Sequence, residues 1–491
     1  MAKKVIVIGS GFAGLSAASF MAKAGWNVVV LEKHSLPGGR ARQLKENGFV
    51  FDMGPSWYWM PGVFERYFAQ FGKKREDLYP LQRLDPSYRI YWPGDFTDIP
   101  AAISALKKVF EDIEPGAASQ LDKFLAEAAY KYKTGIEKLV FKPGQSFSEF
   151  LDRDFIKGIF KLDVFISLRK HVRKYFKNEK LQQLLEFPVL FLGALPQNMP
   201  ALYSLMNYAD IAGGTWYPEG GMYRIVTAMY NTAIELGVQF HFNENVQSIA
   251  VENGNAKKVI TNNKEWNGDV VIISADYHYA ETKWLPANYQ SYSNAYWNSR
   301  VMAPSCLLFY VGLNKRLSNI THHTLFFDMP FEVHANEIYT SKKWPSAPMF
   351  YVSATSVTDK NAAPAGCENL FLLMPVAAGI EGDNENTREV YFDKMVTRME
   401  ERLGEKIKEH VICKKSFSVS DFVSEYNSFK GNAYGLANTL LQTAILKPSC
   451  RSKKIKNLFY TGQLTVPGPG VPPCLISGEV VAAEVIKHFG F

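Results

Sequence analysis

Residues 3–42 read KKVIVIGSGFAGLSAASFMAKAGWNVVVLEKHSLPGGRAR, and this stretch decides the fold class. Residues 5–8 are a short, unbroken apolar run, the pattern of a strand buried on both faces of a parallel sheet. Gly9, Gly11 and Gly14 follow at G-x-G-x-x-G spacing. Gly9 permits the tight turn, Gly11 lets a diphosphate approach the backbone, and Gly14 lets the next helix press on the sheet. The predicted helix, residues 12–24, opens with unpaired N–H groups and the positive end of its dipole, a seat for pyrophosphate. A second apolar strand, residues 27–31, ends at Glu32, about 20 residues past the turn, where a carboxylate reaches the ribose hydroxyls of an adenosine. A lone glycine motif is weak evidence. Set between a strand and a helix, with an acid after the second strand, it points to a dinucleotide site rather than a bare glycine-rich turn. Gly38 and Gly39 offer another close backbone approach, and Arg40 beside them can meet phosphate charge.

The chain has 491 residues and is 47% hydrophobic, enough for a large core and roughly three domain-sized units. Its 34 Phe and 25 Tyr could wall a large apolar ligand, although ordinary cores use aromatics too. The net charge of +7 is compatible with an anionic membrane surface, and the absence of any RNA- or DNA-reading motif sets nucleic acid aside. The five cysteines are scattered, with no C-x-x-C pair, so neither a disulfide framework nor a zinc site is expected, and a reduced cytoplasmic setting fits. The chain goes directly into its first strand, which leaves no room for a signal peptide. No run of about 20 apolar residues predicts a membrane-spanning helix.

The expected architecture is α/β: a Rossmann-like dinucleotide domain assembled from separated segments, an inserted mixed α+β substrate domain, and a helical region. The segments expected in the dinucleotide domain are 1–95, 213–290 and 415–491. Residues 96–212 read as helical, and 291–414 as strand-rich. Short strands are expected at 238–242, 246–251, 259–261, 270–274 and 458–460, a turn at 462–473, and a helix from Leu475. Residues 154–177, DFIKGIFKLDVFISLRKHVRKYFK, allow two readings. Phe155, Ile159, Phe160, Val164, Phe165 and Leu168 line one side, and Lys157, Lys161, Arg169, Lys170, Arg173, Lys174 and Lys177 supply positive charge. Such a segment lies in a membrane interface or docks on the core with a solvated basic face.

The spacing from Glu32 to Gly38, Gly39 and Arg40 resembles the FAD-containing amine oxidase and carotenoid desaturase superfamily. The likeness runs nearly end to end and is strongest to bacterial carotenoid desaturases of the phytoene type, including hydroxycarotenoid 3,4-desaturases. It is carried by GFVFDMGPSW at 48–57, WYPEGGMYRI at 216–225, SVTDKNAAPAGCENLFLLMPV at 356–376 and NLFYTGQLTVPGPGVP at 457–472. The resemblance implies FAD held by Gly9, Gly11, Ala13, Gly14, Glu32, Gly39 and Arg40, with Gly54, Pro55, Ser56 and Trp57 beside it. It implies Val246 near the adenine, and Gly462, Gln463, Val471 and Pro472 near the ribityl chain and ring. In one departure, Val466 stands where relatives often carry histidine, so no role of that histidine carries over.

The implied reaction removes two hydrogens from adjacent carbons of an acyclic or monocyclic carotenoid, one as hydride to the flavin and one as a proton. A hydrocarbon offers no hydrogen-bond handle, so selection rests on tunnel shape and apolar area, at about 25 cal/mol per Å². The family likeness places Glu149, in SFSEFL, where relatives carry an acid proposed to assist; a solvated helix residue is the plainer reading. His322 and His323 are adjacent and poorly placed to share one ion, which favours structural roles and no metal. With no second dinucleotide motif, oxygen or a membrane quinone is the expected electron acceptor. The expected location is the cytoplasmic face of the cell membrane, peripherally bound. The rivals are another flavin oxidase of this fold, for amines or protoporphyrinogen, and a prenyl-lipid escort protein of the same architecture. Nothing in the sequence marks a polar group that would hold a substrate hydroxyl.

Overall fold

The computed structural model describes residues 2–146, 149 and 162–490. The opening motif folds as its sequence implies. Lys4–Ile8 is the central strand of a five-stranded sheet, flanked by Val270–Ile273 and Asn27–Leu31, with Leu458–Tyr460 and Gln239–His241 at the edges. Every pairing is parallel. Alternate side chains enter two different cores. Val5, Val7, Val28, Val30, Val270 and Ile272 face helices Phe12–Lys23, Tyr223–Glu235 and Val471–Phe489. Ile6, Ile8, Val29, Leu31, Val271 and Ile273 face the antiparallel sheet Val246–Glu252, Asn255–Thr261 and Glu265–Asn267. Both faces are dry, which is why these strands read as unbroken apolar runs. Three distant pieces of chain thus build one nucleotide-type sheet.

A second sheet has seven strands, in the order Val411–Phe417, Ser305–Leu313, Glu368–Val376, Phe350–Ser353, His323–Phe326, Tyr88–Tyr91 and Phe96–Ile99. Leu307, Phe309, Leu370 and Leu372 pack one face on helix Glu385–Leu403. Leu308, Tyr310, Tyr351, Phe371 and Leu373 point from the other face toward helices Ala117–Thr134, Leu168–Tyr175 and Glu179–Glu186.

This sheet moves two of the expected boundaries. Residues 96–99 are strand, not helix, and pair as a hairpin with Tyr88–Tyr91 across a turn at Pro93 and Gly94. Arg89 and Asp98 clasp across the pair at 2.6 and 2.8 Å. Residues 88–99 therefore belong to the seven-stranded sheet rather than dividing at 95 between the nucleotide domain and the helical region, and 415–417 complete its edge strand. The last helix begins at Val471, four residues before the expected Leu475, because Pro472 and Pro473 fall in its first turn, where a missing N–H breaks no helical bond.

Of the basic segment, residues 154–161 lie outside the described residues. Of the rest, Leu168–Tyr175 is a docked helix: Leu168, His171 and Val172 are buried while Lys170, Arg173 and Lys174 are exposed. Just before it, Phe165 and Ile166 remain 78% and 40% exposed.

Candidate cofactor and substrate site

At the glycine turn, Gly9 takes φ +99°, which a side chain rarely tolerates. A Cβ on Gly14 would lie 2.0 Å from the Gly9 carbonyl oxygen, so helix and strand meet there backbone to backbone. At Gly11, by contrast, a Cβ would meet nothing within 4 Å; this glycine faces open space. Gly11 is also the N-cap of helix Phe12–Lys23, with no side-chain cap and no acid in the first turn. The helix end therefore presents bare N–H groups and an unopposed dipole to that space. Glu32 is buried at the end of the next strand. It accepts from Ser10 N at 2.8 Å, Ser10 Oγ at 2.7 Å and His34 N at 3.0 Å.

Arg40 is held from the far side of the molecule. Its Nη2 donates to Ser428 Oγ at 2.9 Å and to the Asn432 carbonyl at 3.3 Å, and its guanidinium lies 5.4 Å from the Tyr426 ring. Burial pulls its pKa below the usual arginine value, with Asp276 opposing. Its Nε is buried without a partner. A buried cation with an unspent N–H beside an uncapped helix end is suited to a diphosphate.

The C-terminal motif approaches from the opposite edge of the sheet. Gly462 N and Thr461 Oγ1 both reach Ser477 Oγ at 3.0 Å, and Gln463 Nε2 donates to Asn432 Oδ1 at 3.0 Å. Helix Val471–Phe489 begins at Gly470, again with no side-chain cap and no acid in its first turn. Behind this turn Lys447 is buried. Its Nζ donates to Asn438 Oδ1 at 2.8 Å, and burial pulls its pKa down to about 7. Val466, at the departure noted in the C-terminal motif, is buried in the apolar core.

These pieces surround one cavity of about 410 Å³, within the range of cofactor sites. Gly9, Gly11, Ala13, Glu32, Gly39, Arg40, Gly54, Pro55, Ser56, Trp57, Val246, Gly462, Gln463, Val471 and Pro472 all line it. Gly14 does not; it serves helix packing. Glu149 does not line it either. Its carboxylate accepts from Gly144 N, Gln145 N and Ser146 N at 2.9, 2.9 and 3.1 Å, closing its own turn.

Lining residues that the sequence reading did not assign include Leu192, Met206, Cys306, Leu308, Tyr351, Phe371, Leu373 and Tyr434. Most of these come from alternate positions of the seven-stranded sheet. Period-two alternation could have flagged them as one face, but not which face meets the cofactor. Asp276, in the ADYH that follows strand Val270–Ile273, also lines the cavity. It accepts from Tyr279 N at 2.9 Å and Phe429 N at 3.0 Å, and burial raises its pKa. His322 and His323 are buried, and burial holds both far below the ordinary imidazole pKa, so both are neutral. They hydrogen-bond Thr358 and Tyr351 rather than converge on an ion.

Comparison with known proteins agrees with this geometry. Residues 12–486 match the family model described as flavin containing amine oxidoreductase. A carotenoid 3,4-desaturase of Haloarcula japonica is 38% identical over 98% of both chains. A zeta-carotene-forming phytoene desaturase of Myxococcus xanthus is 30% identical over 99% of this chain and 94% of its own. Among solved structures, an oxidoreductase from Methanosarcina mazei superposes with a TM-score of 0.61 at 17% identity, covering 98% of this chain and 100% of that one, a likeness of fold. The uncapped glycine-turn helix, the buried Glu32 and the orphaned Arg40 Nε suit FAD, and the chain belongs to the flavin-containing amine oxidoreductases, among their carotenoid desaturases.

Proposed function

We propose that this protein introduces carbon–carbon double bonds into an acyclic or monocyclic carotenoid, at the 3,4 position in the manner its Haloarcula relative is named for. The observation that carries the reading is the continuity of the cavity, with a phosphate-type cradle along one part and Leu192, Met206, Leu308, Phe371 and Leu373 along another. Gly9, Gly11, Glu32, Arg40, Gly462 and Val471 would hold FAD, which supplies a two-electron acceptor. The apolar wall holds a greasy chain beside it by area and shape, excludes water, and limits the reacting carbons to a narrow set of positions. Glu149 is spent on backbone N–H groups and takes no part in this arrangement.

A carotenoid reaches such a cavity from a bilayer. Among the described residues no helix is long and apolar enough to cross a membrane. Leu192 on the cavity wall accepts from Asn438 N at 3.0 Å, and the loop that follows exposes Leu440, Leu441 and Leu446 by 42%, 75% and 45%. We infer a peripheral seat for this loop at the inner face of the cell membrane, where oxygen or a quinone accepts the electrons.

The test is anaerobic. Yellow, flavin-loaded protein mixed with a carotenoid in vesicles should lose its flavin absorbance and return a product with a longer conjugated system. Bleaching by amines or a porphyrinogen, and not by any carotenoid, would instead assign it to the oxidases of the same fold.

A further inference from the structure

We propose that Lys447 is an electrostatic partner of the reduced cofactor: its buried ammonium, set behind the C-terminal turn, favours FAD that has taken a hydride over FAD that has not. The proposal needs the cofactor alone and is independent of which compound the cavity oxidises.

Lys447 is 5% exposed. Two contacts pin its segment behind the C-terminal motif. Thr465 Oγ1 donates to the Pro448 carbonyl at 2.7 Å, and Tyr460 N donates to the Cys450 carbonyl at 2.8 Å. The side chain then reaches the turn itself. A Cβ on Gly468 would lie 3.0 Å from Lys447 Nζ and 3.1 Å from Asn438 Oδ1, so the ammonium and the amide lie in the space that a side chain would take. The residues that follow, Pro469 and Gly470, line the cavity, and so does Cys474 in the first turn of the next helix. The wall between the ammonium and the cofactor space is thus this short stretch of turn.

What the ammonium lacks is a counter-charge. Among the described residues, the acceptor for its Nζ is the uncharged Asn438 amide, 2.8 Å away. The ionisable group that acts on it is the Cys474 thiol, which burial lifts to about 11 and so keeps neutral. A buried cation without an anion is unfavourable, and burial accordingly pulls Lys447 down to about 7. The cavity is where a negative charge can arise. A hydride brings two electrons and one proton to an uncharged ring, so one negative charge stays there until a second proton follows. That ring is the part of FAD implied to lie beside Gly462, Gln463, Val471 and Pro472, where helix Val471–Phe489 begins with no side-chain cap and no acid in its first turn. A fixed positive charge in a dry wall stabilises such a charge without touching it. Arg40, which also acts on Cys474, offers the contrast. Its orphaned N–H is suited to the diphosphate, whose charge is the same before and after reduction. Arg40 therefore contributes affinity, and Lys447 contributes preference between the two redox states.

The experiment measures the midpoint potential of FAD-loaded protein by equilibration with a reference dye. Combined with the Kd for oxidised FAD, it gives the ratio of affinities for reduced and oxidised cofactor. Lys447→Met, and Lys447→Gln with a hydrogen-bonding group in place of the charge, should each lower this ratio roughly 10- to 100-fold at about pH 6. Lys447→Arg should hold it within about threefold of the wild type. A lysine that served only packing would change both affinities together and leave the ratio where it was. The gap between wild type and Lys447→Gln should close as rising pH removes the proton from the ammonium, whereas Lys447→Arg, always charged, should keep its gap. If the neutral variants fail to fold, wild type and Lys447→Arg carry the test, with ratios alike at about pH 6 and parting in alkali. Three results overturn the proposal: an unchanged ratio in both neutral variants, a Lys447→Gln that matches the wild type where Lys447→Met does not, or parallel pH profiles for wild type and Lys447→Arg. A folded wild type that binds no FAD removes the cofactor assignment and the proposal together.

Discussion

At the scale of single residues, Arg40 has the plainest consequence. Two of its contacts are made within the protein, and one buried N–H is left for a ligand. Removing a charged donor of this kind forfeits about 1.5–3 kcal/mol, so Arg40→Ala should weaken FAD binding roughly 10- to 100-fold. Arg40→Lys keeps the charge but not the fork, and should recover only part of the loss. Titration of apoprotein with FAD, followed by flavin fluorescence, checks both. Asp210 makes a second case. It accepts from Tyr88 Oη at 2.8 Å and Thr215 Oγ1 at 3.0 Å, and burial pushes its carboxyl up to about 6, above the unfolded value near 3.9. The folded state then keeps a proton that the unfolded chain releases. The contribution of Asp210 to stability is complete below about pH 4 and is lost as pH rises through about 6. Asp52, raised to about 6 at the start of helix Tyr223–Glu235, acts in the same direction. Asp210→Asn should therefore flatten, without abolishing, the fall in melting temperature across that window, and a slope equal to the wild type's would refute the assignment.

At the scale of elements, two helices meet at Gly478, where the C-terminal helix has no room for a side chain. A Cβ on Gly478 would lie 2.4 Å from the Ala13 carbonyl oxygen and 2.6 Å from Ser16 Cβ, and Ser16 Oγ donates to the Leu475 carbonyl at 2.7 Å. The C-terminal helix is thus locked to the glycine-turn helix, and both aim uncapped N-termini at one cavity. Gly478→Val should cost roughly 1–3 kcal/mol of stability or more and weaken FAD binding, although it touches no cofactor; thermal melting with and without FAD separates the two effects. The first of these helices was legible because glycine spacing, strand pattern and Glu32 all agreed over a short span. The hairpin at 88–99 was not. Its strands have four residues each, too few for period two to stand out, and its place in the sheet depends on pairing with His323–Phe326, more than two hundred residues away. Pro93 and Gly94 are turn-forming residues, but a turn does not say what flanks it.

At the scale of the whole molecule, the nucleotide end of the site was readable because backbone and phosphate chemistry demand particular residues. The substrate end was not, because any large apolar side chain satisfies an apolar ligand. Only the assembled sheet shows which aromatics face the cavity and that Tyr351 brings a hydroxyl among them. The same holds for the route in. Exposed Leu441 and Phe165 are far apart in sequence, yet their loops are linked: Ala201 N donates to the Ile166 carbonyl at 2.7 Å, and Tyr203 Oη lies 3.3 Å from Thr443 Oγ1. Val301, 52% exposed, joins them by donating its N–H to Gln442 Oε1 at 2.9 Å. Lys170, Arg173 and Lys174 on the neighbouring helix are exposed and would face anionic headgroups. An apolar tip with a basic shoulder binds a membrane by burial first and charge second. Each large apolar side chain that enters lipid contributes about 1.5–3 kcal/mol, so Leu441→Glu together with Phe165→Glu should lower binding to anionic vesicles at least about tenfold. Raised salt should weaken the wild type further, through loss of the basic contribution. The double variant should still bind FAD and still oxidise carotenoid supplied in detergent, because neither side chain touches the cavity. Undiminished vesicle binding by the double variant would refute the membrane seat proposed for this face.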